Sequence, residues 1–589
     1  MNDDSHVLRG IPASPGIGIG KAFLYHAKTP TVSRRRVNRD RVAQEIHRFH
    51  TALLTVAEEI RRTKHLVEVE HGPDLAQIFE AQLAMLDDVQ VKDNTIDLIR
   101  RKLLAAEPAF VEALRPFQAA FDEIENEYLR SRVADLQDIE HQVLFRLGGG
   151  RLHGLHSVRS NTIVIARDLL PSESVHLGRK LVKGLVLDHG GATSHATIIA
   201  RSLQLPSVVG AESASSSIRS GDLLIVDGDE GVVYVRPDEE AVRFFQAELR
   251  RLHRRERDLR DRRDLPAKTK DGVGLAIMAN VDLQQEVDLA LENGATGVGM
   301  FRTEFLFMEH RLPSEEEQMR VYRQALEAMA PWPVVIRTFD LGGDKLAHAI
   351  GPVSERNPFL GWRGIRLCLD NPDLFKLQLR ALLRAGVGGD LHILLPMITN
   401  LDELRKAKTL IKEVTSELDD DKLNYASTYK VGVMVEVPSV AITVEMFVRE
   451  VDFLSLGTND LVQYTLAVDR GTPRVADLYD HYHPAVLKLI KEVADCGLRH
   501  GIPTSVCGEM AGDPLTATLL LGLGVKILSV SPGLIPELKE AIRATTLSRA
   551  QEVAQQCLSM DSGTRVRMRV EEAFSASSPS RRKRPRFKQ

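Results

Sequence analysis

The sequence predicts a multidomain α/β protein: a small α/β domain with an inserted helical bundle, followed by a TIM-type (β/α)8 barrel. Three observations carry this. From residue 270 onward, apolar runs at 275–281, 297–301, 333–338, 391–397, 431–437, 451–456, 503–507 and 526–530 alternate with helix-like stretches. Eight such units over roughly 260 residues match the size of a closed barrel better than an open doubly wound sheet. Residues 40–147 carry helical periodicity and no strand-like run. Residues 148–236 hold short apolar runs bounded by turn residues, the pattern of buried strands.

The elements follow in order. Gly10-Ile-Pro-Ala-Ser-Pro-Gly-Ile-Gly-Ile-Gly20 suits tight turns leading into a strand near Ala22 to Tyr25. Val42, Ile46, Phe49, Leu53, Val56 and Ile60 recur at steps of three and four and form one apolar helical stripe. Leu75, Ile78, Phe79, Leu83 and Leu86 form a second. Strands are expected at 162–166, 184–187 and 223–226, and a helix over 194–203. Eight arginines between Arg250 and Arg263 are interleaved with Glu248, Glu256, Asp258, Asp261 and Asp264, which predicts a solvated linker helix. An RNA-binding arm would need a field that these acids cancel. The expected divisions are 1–39, a strand segment joining the small domain, then 40–147, 148–236, a linker at 237–268, the barrel at 269–560, and an extension at 561–589 ending in a basic tail.

Composition bounds the function. The 589 residues are 43% hydrophobic and 27% charged, enough apolar surface for several cores. No stretch approaches the ~18 apolar residues that span a bilayer. The net charge of -4 gives no global attraction to nucleic acid. Met1 to Ser5 lack the plan of a signal peptide, so a cytoplasmic, reducing location is expected. Cys368, Cys496, Cys507 and Cys557 have no CxxC spacing, which argues against a disulfide framework or a cysteine zinc site.

Barrel chemistry sits at the C-terminal ends of the strands. Just past them stand Arg302 and Glu304, Arg337 with Asp344 and Lys345, Glu436, Asn459 and Asp460, and Cys507 with Glu509; Arg363 and Arg470 follow nearby. Arginine forks bind phosphate or carboxylate, and Glu436 and Asp460 supply hard oxygen ligands for magnesium. A rim of ordinary salt bridges is the alternative. Cys507 is either a buried core thiol or, beside Glu509 and the cations, a reactive one. The other three cysteines fall in helix-like sequence and are read as packing. In the small domain, Asp188-His-Gly-Gly-Ala-Thr-Ser-His195 runs from a strand end through glycines to a helix start. Backbone N–H groups there favour an anion, so His195 is a candidate phosphoryl acceptor. A plain capping loop is the alternative, and His189 the rival histidine.

Gly190-Gly-Ala-Thr-Ser-His195-Ala-Thr-Ile-Ile-Ala-Arg-Ser-Leu203 resembles the phosphohistidine signature of the phosphoenolpyruvate (PEP)-utilising enzymes. Phe301-Arg-Thr-Glu-Phe-Leu-Phe-Met308, Ile336-Arg-Thr-Phe-Asp-Leu-Gly-Gly-Asp-Lys345, Asn357-Pro-Phe-Leu-Gly-Trp-Arg363, Val435-Glu-Val-Pro438, Leu456-Gly-Thr-Asn-Asp-Leu461, Tyr464-Thr-Leu-Ala-Val-Asp-Arg470 and Cys507-Gly-Glu-Met-Ala-Gly-Asp513 resemble its barrel. The likeness runs from about residue 7 to 560 and is strongest to the enzyme I branch, which starts bacterial sugar uptake. Ile78-Phe-Glu-Ala-Gln-Leu83, Glu127-Tyr-Leu-Arg130 and Ala134-Asp-Leu-Gln-Asp-Ile139 resemble that branch's carrier-binding helices.

The resemblance implies that a swivelling domain presents His195 to take the phosphoryl group and pass it to the carrier protein HPr. Arg302, Arg337, Asn459, Arg470 and Lys345 would bind PEP, and Arg363 would complete the phosphate clamp. Glu436 and Asp460 would hold Mg²⁺, and Cys507 would protonate the methylene carbon as pyruvate forms. A homodimer through the barrel is implied. Ala192 and Leu170 stand where sugar-pathway members usually have Arg and Thr, and Gln82 where many have His.

Three rival readings have discriminating features. A nitrogen-branch relative normally begins with a sensory domain, whereas this chain starts at the transferase. A PEP-forming dikinase needs an ATP-grasp domain, for which the residues before His195 leave no nucleotide loop. A catalytically dead scaffold would have lost residues that this sequence keeps.

Overall fold

The computed structural model describes residues 6–25, 32–33, 35–71, 73–122, 127–148, 160–170, 173, 181–190, 195–203, 205–307, 312–342, 357–470, 472 and 475–574. The chain divides into two compact units at His253/Arg254.

In the first unit, strands β1 (His6–Arg9), β2 (Ile11–Ser14) and β3 (Ile17–Tyr25) precede five helices, α1 (Val42–His71), α2 (Pro73–Asp87), α3 (Val89–Lys102), α4 (Ala106–Asp122) and α5 (Glu127–Leu147). Strands β4 (Thr162–Ala166), β5 (Val182–Leu187), β6 (Ser207–Val209), β7 (Leu223–Asp227) and β8 (Val232–Val235) complete an eight-stranded mixed sheet in the order β1-β8-β7-β3-β4-β5-β6-β2. The bundle is therefore inserted between β3 and β4, which pair in parallel. Side chains alternate across the sheet. Val164 and Ala166 join Phe49, Val56, Phe110 and Val143 in one core, while Ile163 and Ile165 join Val186, Leu224 and Val226 on the other face. Burial on both faces is why these strands read as unbroken apolar runs.

Sequence periodicity misses four of these strands. β6 is three residues long, β2 contains Pro12, and β1 and β8 are four-residue strands paired with each other. Too few residues repeat in each for a period of two to register. The helix Glu239–Asp261 covers most of the predicted linker; Arg251 pairs along it with Glu248, and Arg255 with Glu537 of a barrel helix.

In the second unit, β9 (Ala276–Val281), β10 (Val298–Phe301), β11 (Val334–Arg337), β12 (Leu391–Leu395), β13 (Lys430–Val435), β14 (Phe453–Leu456), β15 (Thr504–Val506) and β16 (Ile527–Val530) form a closed barrel. Every pair is parallel, and β16 closes onto β9. Each strand overlaps a predicted run, and only β13 begins outside one, by a single residue at Lys430. Outward residues such as Phe301, Ile336, Ile393, Val433, Leu454 and Val506 pack under the surrounding helices. Met300, Val335, Leu394, Met434, Phe453 and Cys507 fill the interior. The barrel's packing does not stop at the expected boundary of 560. A helix, Gly563–Phe574, adds Val566, Val570 and Phe574 to the same core. The basic tail after 574 lies outside the described residues. Among the described residues, no helix is long and apolar enough to cross a membrane.

Candidate active site

The barrel sequence dictates where polar side chains gather, because each strand ends in a loop or short helix on one rim. Arg302 follows β10, Arg337 ends β11, Glu436 follows β13, Asn459 and Asp460 open the helix after β14, and Cys507 follows β15. Lys345 and Asp344 lie outside the described residues.

The structure joins these groups through a residue given no role in the sequence reading, Asp340. Its side chain is 1% exposed. Arg337 donates to Asp340 Oδ2 at 3.2 Å and to Glu304 Oε1 at 2.9 Å. Arg363 donates from Nε to Asp340 Oδ1 at 2.9 Å and from a terminal nitrogen to Oδ2 at 2.6 Å. The other terminal nitrogen of Arg363 meets Tyr464 Oη at 3.3 Å. Burial opposes the charge of both arginines, but the surrounding carboxylates outweigh it and raise their pKa values further. Arg302 pairs with Asp282 at 2.9 Å, and Arg470 lies 3.8 Å from Glu509. Glu509 also takes a hydrogen bond from Asn459 Nδ2 and donates its backbone N–H to Asn459 Oδ1 at 2.9 Å. Arg337, Arg363, Asp340, Glu436 and Asp460 thus form one charged cluster, while Asn459, Arg470 and Glu509 form a linked group beside it.

Glu436 is 2% exposed. Its Oε1 accepts the Met397 N–H at 2.6 Å. Met397 holds a left-handed backbone, φ 59°, in the loop after β12, a strained conformation for a side chain of its size. Burial, then Asp340 and Asp460, push the Glu436 pKa up to about 8 against the pull of Arg337 and Arg363. Gly457 makes room for this carboxylate, since a Cβ there would stand 2.9 Å from Glu436 Oε2.

Asp460 accepts from Arg363 at 3.2 Å through Oδ2, while among the described residues its buried Oδ1 has no hydrogen-bond partner. A buried carboxylate oxygen without a donor beside a second buried carboxylate is the donor set of a divalent cation. These residues fit the metal that the resemblance implies.

Cys507 is 2% exposed. Burial pushes its thiol up, offset in part by a hydrogen bond from Ser455 and by Arg337. Ser455 Oγ donates to Cys507 Sγ at 3.3 Å, and Asn280 Nδ2 donates to the Cys507 carbonyl at 2.9 Å. Asp340 follows a strand-end arginine by three residues, a spacing that offered a signal. Ser455, Asn280 and Met397 offered none, since each sits in or beside an apolar run.

In the first unit, the helix His195–Ser202 begins at the candidate histidine. The preceding residues 191–194, including Ala192, lie outside the described residues. The rival His189 accepts a hydrogen bond from Arg167 at its Nε2, 3.1 Å away. Leu170 donates its N–H to Glu173, whose other oxygen takes the Tyr25 hydroxyl at 2.5 Å. Gln82 is fully buried and donates to Asp138 at 3.0 Å, so it is a packing residue rather than a surface one. Cys368, Cys496 and Cys557 are buried in helices. Cys496 also bonds Glu445 at 3.2 Å.

Comparison with known proteins identifies the family. Family models of PEP-utilising enzymes match in three places: the N-terminal region over 9–132, the mobile domain over 158–231, and the PEP-binding domain over 256–547. The phosphoenolpyruvate-protein phosphotransferase of Staphylococcus aureus is 38% identical over 551 residues, 93% of this chain and 96% of its own. That of Geobacillus stearothermophilus is 39% identical over 96% of this chain and 98% of its own. A solution structure of an enzyme I protein, 36% identical, covers 42% of this chain and 99% of its own, with a TM-score of 0.38. The matched family models define the class, an enzyme that uses PEP. Within that class, the chain belongs to the phosphoenolpyruvate-protein phosphotransferase family.

Proposed function

We propose that this protein transfers the phosphoryl group of PEP to His195 and then to a histidine of the carrier HPr, releasing pyruvate at the first step of sugar uptake. The observation that carries this is the meeting of the mostly buried Arg337 and Arg363 with Glu436 and Asp460 at a barrel mouth that also holds Cys507.

Phosphoryl transfer is chiefly a matter of positioning and charge neutralisation. Arg302, Arg337 and Arg470 bind the phosphate and carboxylate of PEP, with Asn459 and Lys345 beside them, and Arg363 completes the phosphate clamp. PEP-utilising enzymes use a divalent metal. Here Glu436 and Asp460 would hold Mg²⁺, which when bound neutralises charge on the substrate oxygens. The guanidinium groups stabilise the enolate that forms as the phosphoryl group leaves. The Cys507 thiol gives its proton to the methylene carbon, and ketone formation draws the transfer forward. His195 begins a helix, where free backbone N–H groups favour the phosphoryl anion.

The rest of the reading follows from the same function. The domain at 148–236 swivels, with 1–39 joining it; the helices of 40–147 bind HPr; 237–268 links them to the barrel. The barrel dimerises, and the protein works in the cytoplasm. Incubation with radiolabelled PEP and Mg²⁺ tests the assignment. Acid-labile label that passes to HPr supports it when His195→Ala takes up none. Label that persists on His195→Ala, or never reaches the wild type, refutes it.

A further inference from the structure

Inside the barrel, buried hydroxyl groups on adjacent strands lead to Cys507. Ser455 on β14 and Ser505 on β15 are register partners in adjacent parallel strands, and both are buried. Ser505 Oγ donates to Ser455 Oγ at 3.0 Å, and Ser455 Oγ donates to Cys507 Sγ at 3.3 Å. From the other side, Ser529 Oγ donates to Asn280 Oδ1 at 2.7 Å, and Asn280 Nδ2 holds the Cys507 carbonyl. The residue is thus fixed by its backbone and, separately, by its sulfur.

The use of the Ser455 proton is the informative feature. A neutral thiol sulfur is a weak acceptor, and a buried hydroxyl serving only structure is better satisfied by a carbonyl. A thiolate is a far stronger acceptor, because hydrogen bonds to ionised groups are roughly twice as strong as neutral ones. Ser505 Oγ lies 3.0 Å from Ser455 Oγ and 3.4 Å from the Leu454 carbonyl; its proton, taken by the nearer hydroxyl, engages a Ser455 lone pair and leaves the Ser455 proton for sulfur.

We propose that Ser455, oriented by Ser505, is a positioning residue that stabilises the Cys507 thiolate created when the thiol proton passes to the substrate. In that step the S–H bond breaks and its electron pair stays on sulfur. The enolate's carbon–carbon π pair forms the new C–H bond, and the enolate oxygen becomes the ketone of pyruvate. One negative charge moves from enolate to sulfur, where Ser455 meets it. Solvent returns the proton before the next cycle. This inference rests on the assignment of Cys507 as the proton donor.

The test titrates Cys507 in the full-length protein by thiolate ultraviolet absorbance, as the difference between each variant and the same variant carrying Cys507→Ala. Ser455→Ala is expected to move the titration up by about one unit, which is tenfold in the ionisation constant. It is expected to lower kcat for pyruvate formation about tenfold while KM for PEP stays within about twofold, the mark of a group acting after substrate binds. In the Cys507→Ala background, Ser455→Ala should cost nothing more. An unmoved titration, or an equal further loss in that background, overturns the proposal while Cys507 stands. Full turnover by Cys507→Ala alone removes the proton-donor assignment, and this inference with it. Should circular dichroism show Ser455→Ala misfolded, Ser505→Ala replaces it; a smaller upward titration shift is expected, and no shift overturns the proposal.

Discussion

Arg363 donates to Asp460 at 3.2 Å through the same terminal nitrogen that reaches Asp340 Oδ2 at 2.6 Å. The guanidinium therefore occupies one oxygen of Asp460 and leaves the other without a donor among the described residues. One short chain of contacts, Glu304–Arg337–Asp340–Arg363–Asp460, couples the proposed phosphate-binding cations to the proposed metal ligand.

Asp340 is the joint of that chain. Asp340→Ala leaves two largely buried guanidinium groups short of a counter-charge, a loss that typically costs about 3–5 kcal/mol. Urea unfolding should show a drop of that order, and kcat/KM for PEP should fall by about a hundredfold, or roughly 2.7 kcal/mol of transition-state stabilisation. A variant with near wild-type stability and turnover would show that Arg337 and Arg363 do not depend on Asp340.

The sequence made the barrel legible because its strands are buried on both faces and leave eight apolar runs. It made the strand-end cations legible because a charged residue ending an apolar run is conspicuous. Asp340 gained its role only through the return of Arg363 from a loop 23 residues later in the chain. Ser455 and Asn280 were hidden for the opposite reason: they are inward-facing polar residues inside runs that read as uniformly apolar. The inward orientation of Gln82, toward Asp138, left no mark in the sequence.

The cation site is tested without turnover. Glu436→Gln and Asp460→Asn each remove one anionic oxygen donor while keeping side-chain volume. Each should weaken Mn²⁺ binding by more than about tenfold, read by electron paramagnetic resonance of the free ion. Unchanged binding in both variants would place the cation elsewhere.

Gly457 tests how closely that carboxylate is packed. A Cβ at this position would stand 2.9 Å from Glu436 Oε2 and 3.0 Å from Glu436 Cβ. Gly457→Ala should therefore push Glu436 aside, weaken Mn²⁺ binding in the same assay, and destabilise the fold by about 1–3 kcal/mol, the usual cost of overpacking. Loss of stability with intact cation binding would mean that Glu436 is not a ligand.

Glu445, on the helix Val444–Phe447, offers a pH test of the barrel's outer helices. Its carboxylate meets Cys496 Sγ at 3.2 Å, His500 Nε2 at 2.6 Å and Arg499 at 3.2 Å, tying the short helix Val444–Phe447 to Pro484–His500. These bonds lower its pKa from 4.5 to about 2. A carboxyl group depressed on folding adds stability above its unfolded pKa and loses it as pH falls through the folded one. Glu445→Gln should accordingly show a lower urea midpoint than wild type above pH 5, and the two midpoints should converge as pH falls toward about 2. A gap that stays constant across that window would show that the carboxylate's charge contributes nothing and that the contact is held by shape alone.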